Sequence, residues 1–414
     1  MQISRRAFVR GGGLALVSFG LDPLFLARAA LAQERARRAG RVLVCLFQRG
    51  AVDGLSMVVP HADAKYYANR ARIAVPRDAV IDLDGTWGLH PALAPLEPLW
   101  KRGTLAIVPA CGSPEATRSH FDAQDYMESG TPGLKGTRSG WLNRYCEHAA
   151  RHESTPFRAV AFGPQLPRAL AGSAPGLAVP DLQAFGVGGR GRARDKIARA
   201  FEELYQTAAT GVVAATAEEA FEAVRTLREV NPTQYAPQNG ATYPRGRLGR
   251  TLQQIAQLIK ADLGLEVAFA DSGGWDTHVA QGASEGQMAN RLREFGSALG
   301  AFAQDLGDGM RDVVVLTMSE FGRTVAENGS AGTDHGHGTT KLVFGADVHG
   351  GRVAGTWPGL DEDALFEGRD VAVANDFRDL FGEILQHHLG LQQLDAVFPG
   401  HPNDPSRRPG VFRA

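Results

Sequence analysis

Four short apolar runs, each emptying into a polar or glycine-bracketed loop, constrain this chain more than any other feature. Val42-Leu43-Val44-Cys45-Leu46-Phe47 ends in Gln48-Arg49-Gly50-Ala51-Val52-Asp53-Gly54. Leu105-Ala106-Ile107-Val108-Pro109 leads into a loop over 110–117. Val267-Ala268-Phe269-Ala270 delivers the stretch 271–276, and Val313-Val314-Val315-Leu316-Thr317-Met318 delivers Ser319-Glu320-Phe321-Gly322-Arg323-Thr324. Uninterrupted apolar runs of this length are how strands buried on both faces read. Lys341-Leu342-Val343-Phe344-Gly345 predicts a fifth strand. Amphipathic helical spacing occupies 91–102, 195–206, 217–229, 248–263, 287–306 and 376–389, the last with Asn375 or Asp376 as N-cap and Gly390 as its stop. Strands alternating with helices predict an α/β fold, a mainly parallel sheet with helices on both faces. In such sheets ligands bind beyond the carboxyl ends of the strands, where the acid and histidine clusters of this chain lie.

The N-terminus reads as an export signal. Ser4-Arg5-Arg6-Ala7-Phe8-Val9 has the twin-arginine pattern, a mildly apolar stretch follows over 11–21, and Ala30-Leu31-Ala32 offers a small-x-small cleavage site. Asp22, Pro23 and Arg28 interrupt the apolar run, and a spanning helix needs about 20 apolar residues. Residues 1–32 are therefore expected to be removed after passage through the twin-arginine export machinery. That leaves a periplasmic or secreted protein with no stable membrane insertion. Residues 33–414 are expected to form one α/β domain, with a helical insertion at about 177–244. The formal net charge of -1 gives no reason to invoke nucleic acid or an anionic membrane. Cys45, Cys111 and Cys146 form no CxxC pair, so a metal site here must use oxygen and nitrogen ligands.

Of the 12 histidines, three fall in two glycine-rich segments that repeat one chemical idea: Gly273-Gly274-Trp275-Asp276-Thr277-His278 and Thr333-Asp334-His335-Gly336-His337-Gly338. Carboxylate with neutral imidazole suits zinc, manganese or iron. Asp276 and His278, two positions apart, can reach one ion from a loop or share a face on a strand. They can equally be a turn aspartate beside an exposed histidine. Asp334, His335 and His337 are harder to explain without a metal or phosphate, because a loop needing only to turn uses Asn, Asp and Gly. Asp53 and Glu320 stand just beyond strands as candidate ligands, and Arg323 is a candidate partner for a substrate anion. Ser119 is the preferred nucleophile within Thr117-Arg118-Ser119-His120-Phe121-Asp122, with a helix N-cap as its other reading.

These motifs, with Arg49-Gly50-Ala51-Val52-Asp53-Gly54 and Ser119-His120-Phe121-Asp122-Ala123-Gln124, resemble the exported bacterial family called domain of unknown function 1501 over nearly the whole mature chain. That family is similar to the alkaline phosphatase and sulfatase superfamily. The resemblance implies an alkaline-phosphatase-like fold, a first acid at Asp53, a nucleophile at Ser119 and an Asp–His pair at Asp276 and His278. For the late ligands it admits two registers. One pairs Asp334 with His335 and ends on His337 or His349. The other, preferred because Glu320 directly follows its strand, ends on His335 or His337 and puts Phe321 where the superfamily has histidine or asparagine.

The expected function is that of an exported hydrolase of phosphate or sulfate esters, dependent on a divalent metal (Zn, Mn, Ca or Mg), with an anionic ester as substrate. The alternative is a non-catalytic exported binding or assembly protein that keeps the fold.

Overall fold

β1 (Val42–Arg49) runs through the middle of a nine-stranded sheet, and its side chains divide the protein into two layers. Val42, Val44 and Leu46 pack into one core, Leu43, Cys45 and Phe47 into the other, because successive side chains of a strand point to opposite faces. The computed structural model describes residues 40–149, 155–182, 235–345 and 347–413. The expected signal at 1–32, the helices at 195–206 and 217–229 and most of the insertion at 177–244 lie outside the described residues.

The other strands of this sheet are β2 (Leu105–Gly112), β3 (Ala159–Phe162), β4 (Leu177–Ala178), β5 (Val267–Gly273), β6 (Val313–Met318), β7 (Thr339–Gly345), β8 (Arg352–Val353) and β9 (Asn375–Asp376). Their order is β8-β2-β7-β6-β1-β5-β3-β4, with β9 also paired to β2. Every described pairing within this sheet is parallel except those of β7, which runs antiparallel to both β2 and β6. Parallel neighbours need a crossover, usually a helix. The connection 319–338 contains none, so the chain returns beside β6 in reverse. As a result the start of β7 lies at the same rim as the ends of β1, β2, β5 and β6.

Among the described residues the longer helices are α1 (His120–Ser129), α2 (Trp141–His148), α3 (Arg247–Lys260), α4 (Gln287–Leu306) and α5 (Phe377–His387). Leu252 and Ile255 of α3 pack with Leu292, Phe295 and Phe302 of α4 over one face; Trp141 and Tyr145 of α2 pack with Phe381 and Ile384 of α5 over the other. The expected α/β class, with helices on both faces of a mainly parallel sheet, is what the structure has. The Asp376 side chain caps α5 by accepting from the Arg378 N–H, and Gly390 lies just beyond the helix at φ 75°.

The helix expected over 91–102 is broken into a 3-10 turn (Pro91–Leu96) and a short α-helix (Glu97–Lys101). Pro95 and Pro98 lack the N–H that a continuous ladder needs. β3 and β4 were not legible as strands, being short and alanine-containing. All three cysteines are buried, and burial pushes the Cys111 thiol up to about 12. Among the described residues no helix is long and apolar enough to cross a membrane.

Candidate metal centre

Two close backbone approaches bring the rim loops together. Gly50, at φ 113° just past β1, lies so near the Asp276 N–H that an added Cβ would sit 2.8 Å from that nitrogen. Gly332 lies against the loop of His278, and a Cβ there would come 2.2 Å from the His278 carbonyl oxygen. Glycine is required at both places by space, not by turning alone.

On this frame three imidazoles and one carboxylate converge. His335 Nε2 lies 3.0 Å from His120 Nε2, 3.0 Å from His278 Nε2 and 3.2 Å from Asp276 Oδ1. His278 Nε2 is also 2.9 Å from Asp276 Oδ1. Ligand atoms of His120, Asp276 and His335 all fall within 4.8 Å of one another. Ligands at zinc–nitrogen distance around a tetrahedral ion are about 3.3 Å apart, so the spacing of His120, Asp276 and His335 suits a single cation, with His278 beside His335 but outside that set of three.

The far side of each ring decides what the near side can do. His120 Nδ1 meets Glu320 Oε1 at 2.8 Å, His278 Nδ1 meets Asp334 Oδ1 at 3.0 Å, and His335 Nδ1 meets the Arg118 carbonyl at 3.0 Å. Ionised carboxylates and carbonyls only accept, so each Nδ1 carries the proton. In the neutral ring the lone pair then sits on Nε2, aimed into the cluster. A carboxylate or carbonyl behind each imidazole is the usual support of a metal-bound histidine.

The electrostatics follow the same plan. Burial pushes His335 below the ordinary imidazole value and keeps it neutral. The hydrogen bond to Glu320 holds His120 above that value. Burial opposes ionisation of Glu320, but donors from His120, Gln124 and the Gly50 N–H outweigh it and hold the carboxyl low. Burial likewise opposes ionisation of Asp276, and the Arg323 guanidinium, 2.6 Å away, outweighs it. A proton on His120 and a divalent cation are competing ways to satisfy the same lone pairs, so metal uptake releases protons. Phe321 packs behind both His120 and His335 with its ring tilted to theirs, centroids 4.9 and 5.1 Å away, and gives the cluster an apolar back wall.

The residues singled out in the sequence separate into three groups. Asp276, His278 and His335 lie in the cluster. Glu320 and Asp334 stand one layer out, behind His120 and His278, each with an oxygen spent on a ring N–H. Arg323 stands behind Asp276, and Asp53, His337 and Ser119 stand elsewhere. The Asp53 carboxylate is buried and taken by Arg70 Nη1 at 2.6 Å, Ser56 Oγ at 2.7 Å and Gln281 Nε2 at 2.7 Å. Gln281 in turn accepts from Thr277 and Thr333, tying both histidine loops to Asp53. Arg323 is buried and spends its donors on Asp276 and on the carbonyl and hydroxyl of Thr333, holding these loops rather than facing solvent. His337 is stacked on Phe366 at 4.4 Å. Ser119 is the N-cap of α1, its exposed hydroxyl accepting from the Asp122 N–H. His349 follows β7, at the opposite rim.

His120 is the cluster member that sequence reasoning did not choose. Its signal was present, since it follows β2 within a hydroxyl-rich motif, but Ser119 beside it drew the functional reading. Glu320→Gln is expected to weaken zinc binding roughly 10- to 100-fold, the usual cost of losing a carboxylate behind a ligating histidine. Competition with a chromophoric chelator measures it, and unchanged affinity would remove Glu320 from any role in the centre.

No curated protein matches this chain significantly. Solved structures similar to it include the lipoteichoic acid synthase LtaP from Listeria monocytogenes, at 8% identity and TM-score 0.37 over 85% of this chain and 72% of that one. The phosphonate monoester hydrolase of Agrobacterium radiobacter is similar at 12% identity and TM-score 0.35, over 87% of this chain and 78% of that one. A protein in the alkaline phosphatase superfamily from Vibrio parahaemolyticus is similar at 12% and 0.33, over 74% and 60% respectively. Likenesses this distant carry no argument about chemistry. The sequence evidence is closer: residues 40–398 match the model of the family described as "Protein of unknown function (DUF1501)", and the chain belongs to that family.

Proposed function

We propose that this protein is a metal-dependent hydrolase of phosphate or sulfate esters, exported by the twin-arginine route and acting in the periplasm or outside the cell. One observation carries the metal reading. Ligand atoms of His120, His335 and Asp276 gather within 4.8 Å of one another, His278 Nε2 lies 3.0 Å from His335 Nε2, and every ring has its other nitrogen already occupied. The ester class comes from the resemblance of the rim motifs to alkaline phosphatases and sulfatases, and export from the twin-arginine pattern at the N-terminus.

A donor set of two imidazoles and one carboxylate suits zinc or manganese better than calcium or magnesium, which prefer oxygen throughout. His120, His335 and Asp276 would hold the ion, with His278 next to His335 and Asp276, and a single ion is favoured. Asp53 already has a permanent cation in Arg70, and Glu320 faces away behind His120. Bound there, a divalent cation supplies Lewis acidity that polarises an ester oxygen. The chain's own contribution is orientation. Glu320, Asp334 and the Arg118 carbonyl fix the three rings, Arg323 fixes Asp276, and Phe321 keeps water from the back of the cluster.

The non-catalytic alternative draws support from Ser119, whose hydroxyl caps a helix by accepting from the Asp122 N–H. Mass spectrometry of the natively purified mature protein tests the metal, with roughly one equivalent expected for a site this well supported. Less than about a tenth of an equivalent would sink it. Aryl phosphate and sulfate panels with added Zn or Mn test the chemistry. Turnover that vanishes in Asp276→Ala excludes the alternative, and metal-loaded protein inert to the whole panel favours it.

A further inference from the structure

Among the described residues three large apolar side chains are exposed: Phe121 at 89%, Val279 at 59% and Leu134 at 59%. Two of the three directly follow histidines of the cluster, Phe121 after His120 and Val279 after His278. Consecutive Cα atoms are about 3.8 Å apart, so both side chains arise at the lip of the centre, one from α1 and one from the loop after β5. The third belongs to the same edge. Lys135, next to Leu134, forms an ion pair with Asp122, next to Phe121, at 2.8 Å.

Single exposed apolar residues are ordinary on a protein surface. Two that directly follow the histidines of one polar centre, while other large apolar side chains find cover, mark a binding surface. The first turn of α1 shows the contrast. His120 turns inward to Glu320 and His335, while Phe121 is left in water although the buried Ala123 and Tyr126 of the same helix show that its inner face has a core to join.

We infer that the substrate is amphiphilic: an anionic group on the histidine–aspartate centre, with an aryl or alkyl group beside it covered by Phe121 and Val279. This rests on the proposed function and narrows its substrate class. The polar lip cannot supply the same selectivity, because its exposed cations are already engaged. Arg118 pairs with Glu367 and Asp370, and Arg369 pairs with Asp370 and donates to the His335 carbonyl.

Two non-hydrolysable probes of equal charge, phenylphosphonate and methylphosphonate, separate the contributions when titrated calorimetrically into the zinc-loaded protein. The phenyl probe is expected to bind about tenfold more tightly, the ratio that roughly 60 Å² of apolar surface removed from water gives. Phe121→Ala should bring the two probes within about twofold of each other with metal content unchanged, as the exposed ring contributes nothing to the core. Equal binding of both probes to the unaltered protein, or a phenyl preference that survives Phe121→Ala, overturns the inference and leaves the hydrolase reading standing. Binding of neither probe to fully loaded protein overturns both.

Discussion

Replacing His335 by alanine should empty the centre. Its Nε2 is the hub, the one atom within about 3 Å of both other imidazoles and of Asp276. Removing it leaves His120, His278 and Asp276 without their common neighbour and takes away one of the three groups that lie close enough together to share an ion. Losing a group that merely orients a ligand costs 10- to 100-fold in affinity, so losing the ligand itself should cost more than about a hundredfold. Metal per chain should fall from near one to below about a tenth after dialysis against a weak chelator. The fold should persist, because His335 lies in a loop outside both hydrophobic layers, and circular dichroism of the variant checks that. Full metal retention in a folded His335→Ala protein would mean that the ion sits elsewhere.

Arg70→Met should produce the largest loss of stability of any single change considered. Arg70 and Asp53 are both essentially inaccessible to water, and their ion pair is joined by Ser56, Gln281 and the carbonyls of Thr324 and Val325. Breaking such a pair from one side strands a buried carboxylate and costs about 3–5 kcal/mol. Thermal or urea unfolding measures it. The double variant Arg70→Met with Asp53→Asn should recover part of the loss, since the stranded charge is gone. A single variant within about 1 kcal/mol of the parent would show that the pair is dispensable. The pH dependence has a definite sign. Burial opposes ionisation of Asp53, but Arg70 and its other donors hold the carboxyl below its ordinary value. The resulting stability is present above the unfolded carboxyl's pKa of about 3.9 and disappears as pH falls through the lower folded value. Without Arg70, acid unfolding should begin at higher pH.

The two variants separate what could be read from the chain from what could not. β1 and β6 were legible because a strand buried on both faces announces itself by an unbroken apolar run, whatever lies beside it. Asp276, His278 and His335 were legible because histidine among glycines is a poor choice for a plain turn. Glu320 was legible as an acid at a strand end but not in its aim. Which way a carboxylate points depends on the ring that meets it, 200 positions away in the case of His120. Arg70 left no trace at all. It stands in an ordinary surface-like stretch, and its burial is decided by the carbonyls of Thr324 and Val325, more than 250 positions further on. Polar contacts between remote loops have no period to betray them.

The reversed course of β7 has a consequence for how such a protein can change. Its neighbour β6 ends, and β7 begins, at the same edge, so the excursion between them leaves and re-enters the scaffold at adjacent doorways. That single stretch supplies Glu320, Phe321, Arg323, Asp334 and His335. Its length and content can be rewritten as one cassette without restacking either hydrophobic layer, and descendants of this chain could gain, lose or exchange a cation by editing about twenty consecutive codons.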